Sequence, residues 1–318
     1  MKILVISGFL GAGKTTFIKE FVKKTHRDFC ILENEYGAIN IDKDILKGDD
    51  KNLNVYELTE GCICCSSKGE FASSVLTIAN TIDPDYLIIE PTGVGYLSSI
   101  LKNLDKIKYQ NIEILEPITI VDASYLLNHY KNFNEILIDQ IESTNKIILS
   151  KSEKLNEDEK KLINESVHSI NKEAALYIDH YSKYNEDFFF SLLKTKSELE
   201  TSDRKINPDN EIDELGISDF SLSSEMQLIS LLEDITRGFY GDIYRAKGFI
   251  KLNKYSLKFD LVDTRYVIEV DEDNNPSKAV FIGKNLNKSN LRKRLIKLEP
   301  KFRNKKFDLK KALRNRAL

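Results

Sequence analysis

Residues 61–65 read Gly-Cys-Ile-Cys-Cys, so three of the chain's four cysteines, Cys62, Cys64 and Cys65, fall together. Thiolates at this spacing can bind one soft or borderline metal ion, such as Zn²⁺, at about 2.3 Å each. A zinc ribbon needs a second cysteine pair, which the sequence does not contain, so these thiolates alone would leave the coordination incomplete. A further ligand could come from Glu33 or Glu35 in "ENEYG", from water or from a partner protein. Incomplete coordination favours metal transfer over structural storage.

Two other interpretations of the cysteine cluster are open: small buried hydrophobic residues, or a set of redox thiols. Gly61, Ser66 and Ser67 flank the cluster and are typical of an exposed loop, so metal binding is the favoured interpretation. Cys30 lies inside the apolar run "FCILE" and is expected to be a core residue. The four histidines are scattered, so none is assigned as a ligand and bulk metal storage is not expected.

A candidate phosphate site is the stretch "GFLGAGKTT", which fits the pattern G-x-x-x-x-G-K-[ST]. A β-type run precedes it and an amphipathic segment follows, which favours a phosphate-binding loop over a glycine-rich turn without a ligand. The glycines let backbone N–H groups turn toward a phosphate, Lys14 would reach the β- and γ-phosphates, and the Thr15 hydroxyl would bind Mg²⁺. The expected nucleotide-binding residues of this loop are Gly8, Gly11, Ala12, Gly13, Lys14, Thr15 and Thr16.

The segment "IILSKSEKL" stands where P-loop GTPases carry Asn-Lys-x-Asp, the motif whose carboxylate reads guanine. The equivalent residues here are Ser150, Lys151 and Glu153. The Glu153 carboxylate could accept hydrogen bonds from the ring N–H and the amino group of guanine. Adenine presents a ring acceptor at the matching position, which would leave the carboxylate unpaired. GTP and GDP are therefore the expected ligands, and a plain strand end leading into a helix is the alternative.

These candidate residues need a scaffold, and residues 1–180 alternate short apolar runs with amphipathic segments. Runs such as "ILVIS", "YLIIE" and "ITIVD" are continuous and rich in Ile, Leu and Val, which is typical of strands buried on both faces of a parallel sheet. The intervening segments are long enough for crossover helices. The sequence therefore predicts an α/β fold, with a P-loop NTPase parallel sheet flanked by helices.

The composition changes near Leu193, where a polar segment begins that contains Pro and Gly and lacks apolar periodicity. A helical stretch, several strand-like runs and a basic helix follow, which predicts a small α+β domain with a hairpin turn at "DEDNNP" (271–276). We expect four parts: a P-loop GTPase domain (1–193), a linker (194–217), a small C-terminal α+β domain (218–299) and a basic tail (300–318).

Composition and charge exclude several classes of protein. Hydrophobic residues make up 41% and charged residues 31%, the net charge is −3, and the pI is about 6.0. This balance gives no general attraction to nucleic acid or to a membrane surface, and the apolar runs are shorter than the roughly 18 residues of a membrane span. The cysteines do not indicate a disulfide framework, so a cytoplasmic protein is expected. The basic tail is expected to be a solvated terminus, and docking to an acidic protein patch or to nucleic acid is the alternative.

Four motifs, "GFLGAGKTT", "ILENEYGAINID", "ELTEGCICC" and "IIEPTGV", occur in this order. Together they resemble the CobW-like family of P-loop GTPases, the metal-handling relatives of the GTPases that insert nickel into hydrogenase and urease. "DQIESTNKIILSKSE" resembles the segment leading into the family's base-specificity motif, and "YRAKGFIKL" and "AVFIGKNL" resemble its small C-terminal domain. The resemblance implies a GTPase, slow on its own, that acts as a metallochaperone for an ion such as Zn²⁺, Co²⁺ or Ni²⁺.

The resemblance also implies roles for individual residues. Glu90 matches the acidic residue of the family's Glu-x-x-Gly switch signature, and Gly93 closes this motif beside the nucleotide. Lys14, Thr15 and Glu90 are therefore the expected catalytic residues. The expected metal ligands are Cys62, Cys64, Cys65, Glu33 and Glu35 for the transition metal and Thr15 for Mg²⁺.

The expected partner is a client metalloenzyme or a cobalamin-related protein, and a nucleotide-dependent homodimer is left open. Two other functions are also open from sequence alone. The first is a regulatory protein that senses nucleotide and metal with negligible turnover. The second is a P-loop kinase that phosphorylates a small molecule, which would need an acceptor site and would give the three cysteines no role.

Overall fold

The computed structural model describes residues 1–33, 54–57, 68–108, 111–129, 134–196, 212–252 and 255–295. For residues 54–57 and 68–70 it describes the backbone alone. Several predicted features therefore lie outside the described residues. They are the three clustered cysteines, Cys62, Cys64 and Cys65, together with Glu35 and the predicted basic tail.

The first domain is built on an eight-stranded sheet whose paired strands all run parallel. Its strands are β1 (Lys2–Ser7), β2 (Cys30–Glu33), β3 (Asn54–Glu57), β4 (Tyr86–Glu90), β5 (Glu113–Ile114), β6 (Ile118–Asp122), β7 (Lys146–Ser150) and β8 (Ala175–Tyr177). They lie in the order β3-β2-β4-β1-β6-β7-β8, and β5 pairs with β1. The carboxyl ends of these strands therefore share one edge of the sheet.

Helices connect the strands. They are α1 (Lys14–Thr25), α2 (Lys68–Thr81), α3 (Leu97–Asp105), α4 (Ala123–His129), α5 (Glu135–Glu142), α6 (Glu157–Ile170) and α7 (Glu186–Leu192). A short 3₁₀ turn at Tyr181–Lys183 follows β8. Within the described part of the chain, no helix has both the length and the apolar character needed to cross a membrane.

The central strand β1 shows why helices cover both faces of this sheet. Ile3 and Val5 pack with residues of α2 and α3, whereas Leu4 and Ile6 pack with residues of α1 and α7. All four side chains are at most 1% exposed. Because successive strand residues point to opposite faces, a continuous apolar run is fully buried only between two layers. The predicted α/β fold is confirmed.

The second domain is a five-stranded antiparallel sheet. Its strands are β9 (Asp213–Ser218), β10 (Asp242–Lys251), β11 (Ser256–Val262), β12 (Arg265–Asp271) and β13 (Lys278–Lys284). They lie in the order β12-β11-β10-β13-β9. The helices α8 (Glu225–Thr236) and α9 (Lys288–Leu295) contribute leucines and an isoleucine to the same apolar core as the sheet. The predicted α+β class of this domain is also confirmed.

The hairpin predicted at residues 271–276 is wrong. The segment does turn, because the Asp271 carboxylate accepts a hydrogen bond from the Asn275 N–H at 2.6 Å. The flanking strands β12 and β13 are not partners, however, since β11 and β10 lie between them. Turn residues specify a local reversal of the chain, whereas strand pairing depends on contacts across the whole sheet.

Strand β9 occupies the end of the segment expected to be a linker. Leu215 and Ile217 point into the core, whereas Gly216 and Ser218 are exposed, so the strand is half-buried. Only two apolar residues of this short strand indicate the alternating pattern of a half-buried strand, and acidic residues surround them. Residues 197–211 of the expected linker lie outside the described residues, and the domain boundaries stay predictions.

Candidate nucleotide and metal site

The loop between β1 and α1 has a backbone that requires glycine. Gly8 has φ of 150°, and a Cβ there would lie 2.3 Å from the carbonyl oxygen of Ile120 on β6. Gly13 has φ of 86° and is the N-cap residue of α1, so this position offers no side chain to cap the helix. The first N–H groups of α1 are therefore not satisfied by a capping side chain, which is the arrangement that binds phosphate.

Lys14 begins α1 and is 8% exposed. Its Nζ lies 3.1 Å from the carbonyl oxygen of Gly8 and 3.5 Å from that of Phe9, so the side chain turns back over the loop. A cation is thus held over the same loop whose N–H groups would bind the phosphates. This is the position expected of a phosphate-binding lysine.

Thr15 and Glu90 are brought together from distant parts of the sequence. The Thr15 hydroxyl donates a hydrogen bond of 2.9 Å to Glu90 Oε1. Glu90 is the last residue of β4, which pairs with β1, and β1 leads into the loop before α1. A hydroxyl next to a carboxylate is a set of hard oxygen donors, which fits Mg²⁺.

A row of glutamates ends three neighbouring strands. Glu33 on β2 is the register partner of Glu90 on β4, and Glu57 on β3 is the register partner of Glu33. Register partners in adjacent parallel strands lie about 4.8 Å apart. The row therefore runs from the Thr15–Glu90 pair toward the edge strand β3, after which the cysteine segment follows in sequence.

We expect Thr15→Ala to reduce the effect of Mg²⁺ on GTP binding by about tenfold, because the variant loses one oxygen donor to the ion. Thr15→Ser keeps the hydroxyl and is the matched control. Titration of a fluorescent GTP analogue, with Mg²⁺ and with EDTA, measures the difference. An equal Mg²⁺ effect in the alanine and serine variants would show that Thr15 does not bind the ion.

The segment after β4 is held by two adjacent residues of α5. Gln140 is fully buried, and its Nε2 donates to the carbonyl oxygens of Gly93 at 3.4 Å and of Gly95 at 3.0 Å. The Asp139 carboxylate accepts hydrogen bonds from the N–H and the hydroxyl of Ser98. We call residues 91–96 the switch loop, because they contain the end of the predicted Glu-x-x-Gly signature. Gln140 of α5 thus binds two backbone carbonyl groups of this loop.

The predicted base-recognition residues lie against the phosphate-binding loop. The Ser150 hydroxyl donates to the carbonyl oxygen of Ala12 at 2.6 Å, and Lys151 Nζ donates to that of Gly11 at 2.9 Å. Lys151 Nζ also lies 2.6 Å from Asp122 Oδ2. The serine that replaces the usual asparagine therefore still ties this segment to the loop.

Glu153, the predicted reader of guanine, has a half-exposed side chain beside the 3₁₀ turn that follows β8. His180 Nε2 lies 3.3 Å from Glu153 Oε1, and His180 Nδ1 lies 2.8 Å from the Ser182 hydroxyl. The carboxylate is accessible to a ligand and one of its oxygens faces the imidazole. Sequence reasoning assigned no role to this histidine.

The predicted transition-metal site falls mainly outside the described residues. The chain leaves β3 at Glu57 and enters α2 at Lys68, with the three clustered cysteines in between. Among the residues that the structure describes, no group of three His, Cys, Asp or Glu side chains could hold a metal ion. Cys30 is 2% exposed and burial raises the pKa of its thiol to about 11, so it is a core residue, as predicted.

Sequence reasoning missed Asp122, Asp139, Gln140 and His180. Each of them acts on the site from a strand end, a helix or a loop far away in the sequence. One pattern in the sequence could have drawn attention to two of them. The segment "DQIESTNKIILSKSE", which resembles the family's sequence, begins with Asp139 and Gln140. No chemical motif marks such supporting residues. Their partners are mostly backbone groups and common polar side chains, so the sequence does not show which of these groups they will meet in the fold.

Comparison with known proteins identifies the same two domains. The family model for the CobW/HypB/UreG nucleotide-binding domain matches residues 2–177. The model for the cobalamin synthesis protein cobW C-terminal domain matches residues 220–299. The first match alone covers more than half of the chain.

The sequence identity to individual relatives is modest. The zinc chaperone YjiA of Escherichia coli is 29% identical over 183 residues, which are 55% of this chain and 56% of YjiA. The zinc chaperone YeiR of the same organism is 33% identical over 153 residues, 47% of this chain and 46% of YeiR. The chain thus spans about half the length of the curated relatives it matches.

Among solved structures, the Zn(II)-bound YjiA GTPase from E. coli aligns over 92% of this chain and 97% of its own, with a TM-score of 0.42 and 22% identity. The first family model spans all eight strands of the parallel sheet, and the second spans the antiparallel sheet except β9. The chain belongs to the CobW family of nucleotide-binding proteins.

Proposed function

We propose that this protein is a GTP-hydrolysing metallochaperone that couples its nucleotide state to the binding of a transition metal ion and its transfer to a client protein. Zn²⁺ is the favoured cargo, because the predicted ligands include three thiolates and because relatives are named zinc chaperones. Co²⁺ and Ni²⁺ also accept thiolates and are the alternatives. A client metalloenzyme or a cobalamin-related protein is the proposed partner.

The observation that carries the proposal is the shared sheet edge. The phosphate-binding loop follows β1 and the cysteine segment follows β3, and both strands end on the same side. The order β3-β2-β4-β1 separates them by about 14 Å, three inter-strand spacings of about 4.8 Å. The row of Glu57, Glu33 and Glu90 spans this gap. A change at the phosphates therefore has a short route to the strand end from which the cysteine segment leaves the sheet.

The described residues divide the proposed reaction between them. Lys14 and the loop N–H groups would stabilise charge on the γ-phosphoryl group as it passes from GTP to water. Thr15 and Glu90 would hold Mg²⁺, which neutralises charge between the β- and γ-phosphates when bound. Glu153 would select guanine. Loss of the γ-phosphate would release the switch loop, and the change would reach the cysteine segment along the strand ends.

The experiment is a titration of the purified, reduced protein with Zn²⁺ and Co²⁺, in the presence of GDP and of a non-hydrolysable GTP analogue. We expect the two nucleotides to change metal affinity by about fivefold or more, in the range of coupling energies between two sites. Thiolate-to-Co²⁺ charge-transfer absorbance reports ligation directly. Phosphate release, followed separately, distinguishes the chaperone from a sensor with negligible turnover.

Cys64→Ser tests the ligand assignment in the same titration. We expect it to weaken metal binding by about tenfold or more and to remove the charge-transfer band, because a hydroxyl is a poor ligand for these ions. Cys30→Ala is the matched control, since Cys30 is buried in the core. Metal affinity independent of nucleotide would overturn the coupling, and a complete lack of metal binding would leave the thiols a redox role.

A further inference from the structure

The turn that joins β11 to β12, residues 262–265, belongs to the second domain but lies against the nucleotide site of the first. Asp263 has φ of 57°, in the left-handed region that suits a tight hairpin turn. Its N–H donates a hydrogen bond of 2.9 Å to the carbonyl oxygen of Tyr244 on β10. The turn is thus fixed to its own sheet.

Apolar contacts join this turn and its sheet to the phosphate-binding loop. A Cβ built on Gly11 would lie 3.1 Å from Cγ1 and 3.3 Å from Cγ2 of Val262, so the valine methyl groups already occupy the space beside this glycine. Phe9 and Leu10 pack in the same apolar cluster as Val262 and Tyr244. The rings of Phe9 and Tyr244 are 5.9 Å apart. Two residues of the loop, Phe9 and Gly11, therefore lie against the second domain.

Charged contacts join the turn to the base-recognition residues. Asp122 Oδ2 lies 2.6 Å from Lys151 Nζ and 3.7 Å from Arg265 Nη2. The Asp122 side chain is 9% exposed, whereas that of Arg265 is 56% exposed. A second ion pair joins His129 Nε2 on α4 to Asp263 Oδ2 at 2.9 Å. Because a nearly buried carboxylate is stabilised by each nearby cation, the Arg265 guanidinium adds a second favourable charge contact to the carboxylate that holds Lys151 on the loop.

We infer that the turn 262–265 is part of the nucleotide-binding site. Val262 supports the phosphate-binding loop at Gly11, and Arg265 is a positioning residue that acts through Asp122 on Lys151. The inference rests on the proposed binding of a guanine nucleotide by the first domain. A ligand that moves the loop changes its contact with Val262, and one that moves Lys151 changes the Asp122 carboxylate that Lys151 shares with Arg265. Nucleotide occupancy and the docking of the second domain are therefore coupled in both directions.

The test compares nucleotide affinity among variants of the full chain, with fluorescent GDP as the probe. We expect Arg265→Ala to weaken binding by about threefold to fivefold, the effect of losing one half-exposed ion pair. Arg265→Lys keeps the cation and is expected to recover most of the affinity. Arg237→Ala is the matched control, because Arg237 is 66% exposed and forms an ion pair of 3.6 Å with Glu233 in the same domain. The control is expected to bind GDP like the wild type.

Hydrogen exchange provides a readout that a purely structural role of Arg265 would not move. GDP is expected to slow exchange of the backbone amides in residues 256–271 of the wild type, and to slow it less in Arg265→Ala. The inference would be overturned if the Arg265→Ala and Arg237→Ala variants bound GDP with equal affinity. It would also be overturned if GDP did not change the rate of hydrogen exchange in the turn. A wild-type protein that binds no GDP would instead overturn the proposed function.

Discussion

Gly93→Ala is expected to slow GTP hydrolysis by about 100-fold or more, the usual cost of removing one backbone donor from a developing anion. We propose that the N–H of Gly93 faces the γ-phosphate from the switch loop. A Cβ at this position would lie 2.6 Å from the nitrogen and 2.8 Å from the Cα of Leu10, which are backbone atoms of the phosphate-binding loop. One of the two loops must therefore move.

The switch loop is the one expected to move. The phosphate-binding loop is tied to β7 and the residue after it, because Ser150 donates to Ala12 and Lys151 donates to Gly11. The switch loop is held near Gly93 by the longer hydrogen bond of 3.4 Å from Gln140. Displacement of the switch loop removes its N–H from the γ-phosphate and leaves the contacts of GDP in place. GDP affinity is therefore expected to change by no more than about threefold.

Single-turnover phosphate release and fluorescent GDP binding measure the two effects separately. Gly216→Ala is the control for a glycine substitution, because no heavy atom lies within 4 Å of a Cβ built there. It should leave both quantities unchanged. A wild-type hydrolysis rate in Gly93→Ala would show that the switch loop does not contribute to phosphoryl transfer.

Gln140→Leu is expected to lower the free energy of unfolding by about 2–4 kcal/mol. Two buried acceptors lose their donor, at a cost of about 1–3 kcal/mol each, and removal of the buried Gln140 Oε1, which has no hydrogen-bond partner among the described residues, offsets part of that cost. Gly93 and Gly95 are buried, and Gln140 Nε2 donates to the carbonyl oxygens of both. Leucine fills nearly the same volume, so the loss is one of hydrogen bonds more than of packing. Hydrolysis is also expected to slow, because the switch loop loses its support.

Urea unfolding followed by circular dichroism measures the change in stability, and phosphate release measures the rate. Gln227→Leu is the control, because Gln227 lies at an accessible position on α8 and accepts a hydrogen bond from the Ser223 N–H. It is expected to shift stability by less than about 0.5 kcal/mol. If Gln140→Leu unfolds at the wild-type urea concentration, α5 does not hold the switch loop.

The sequence alone predicted the features that are local in the chain. "GFLGAGKTT" could be interpreted as a phosphate-binding loop because a strand, a glycine-rich turn and a helix N-terminus follow one another directly. Strands buried on both faces were predictable from continuous apolar runs, and β1 shows this burial with Ile3 and Leu4 on opposite sides. Cys30 was predicted to be a core residue for the same reason.

Half-buried and acidic segments were harder to predict. In β9 only Leu215 and Ile217 face the core, and their alternation lies inside a polar stretch that resembles a linker. The turn at residues 271–276 could be predicted from its residue types. The sequence did not show that the two flanking strands are separated in the sheet by other strands. A short window of sequence reports the conformation of a segment, whereas its partner in a sheet is chosen by competition among all the strands.

The tertiary structure decided which distant residues support the site. Thr15 meets Glu90, Gln140 meets Gly95, and the Asp122–Lys151 pair meets Arg265 from another domain. These partners are separated by tens of residues or more, and each contact exists because the sheet order and the docking of the second domain bring their backbones together. Local chemistry determines what a residue can bind. Because the chain can place a given side chain beside any of many others, only the complete packing decides which contact forms.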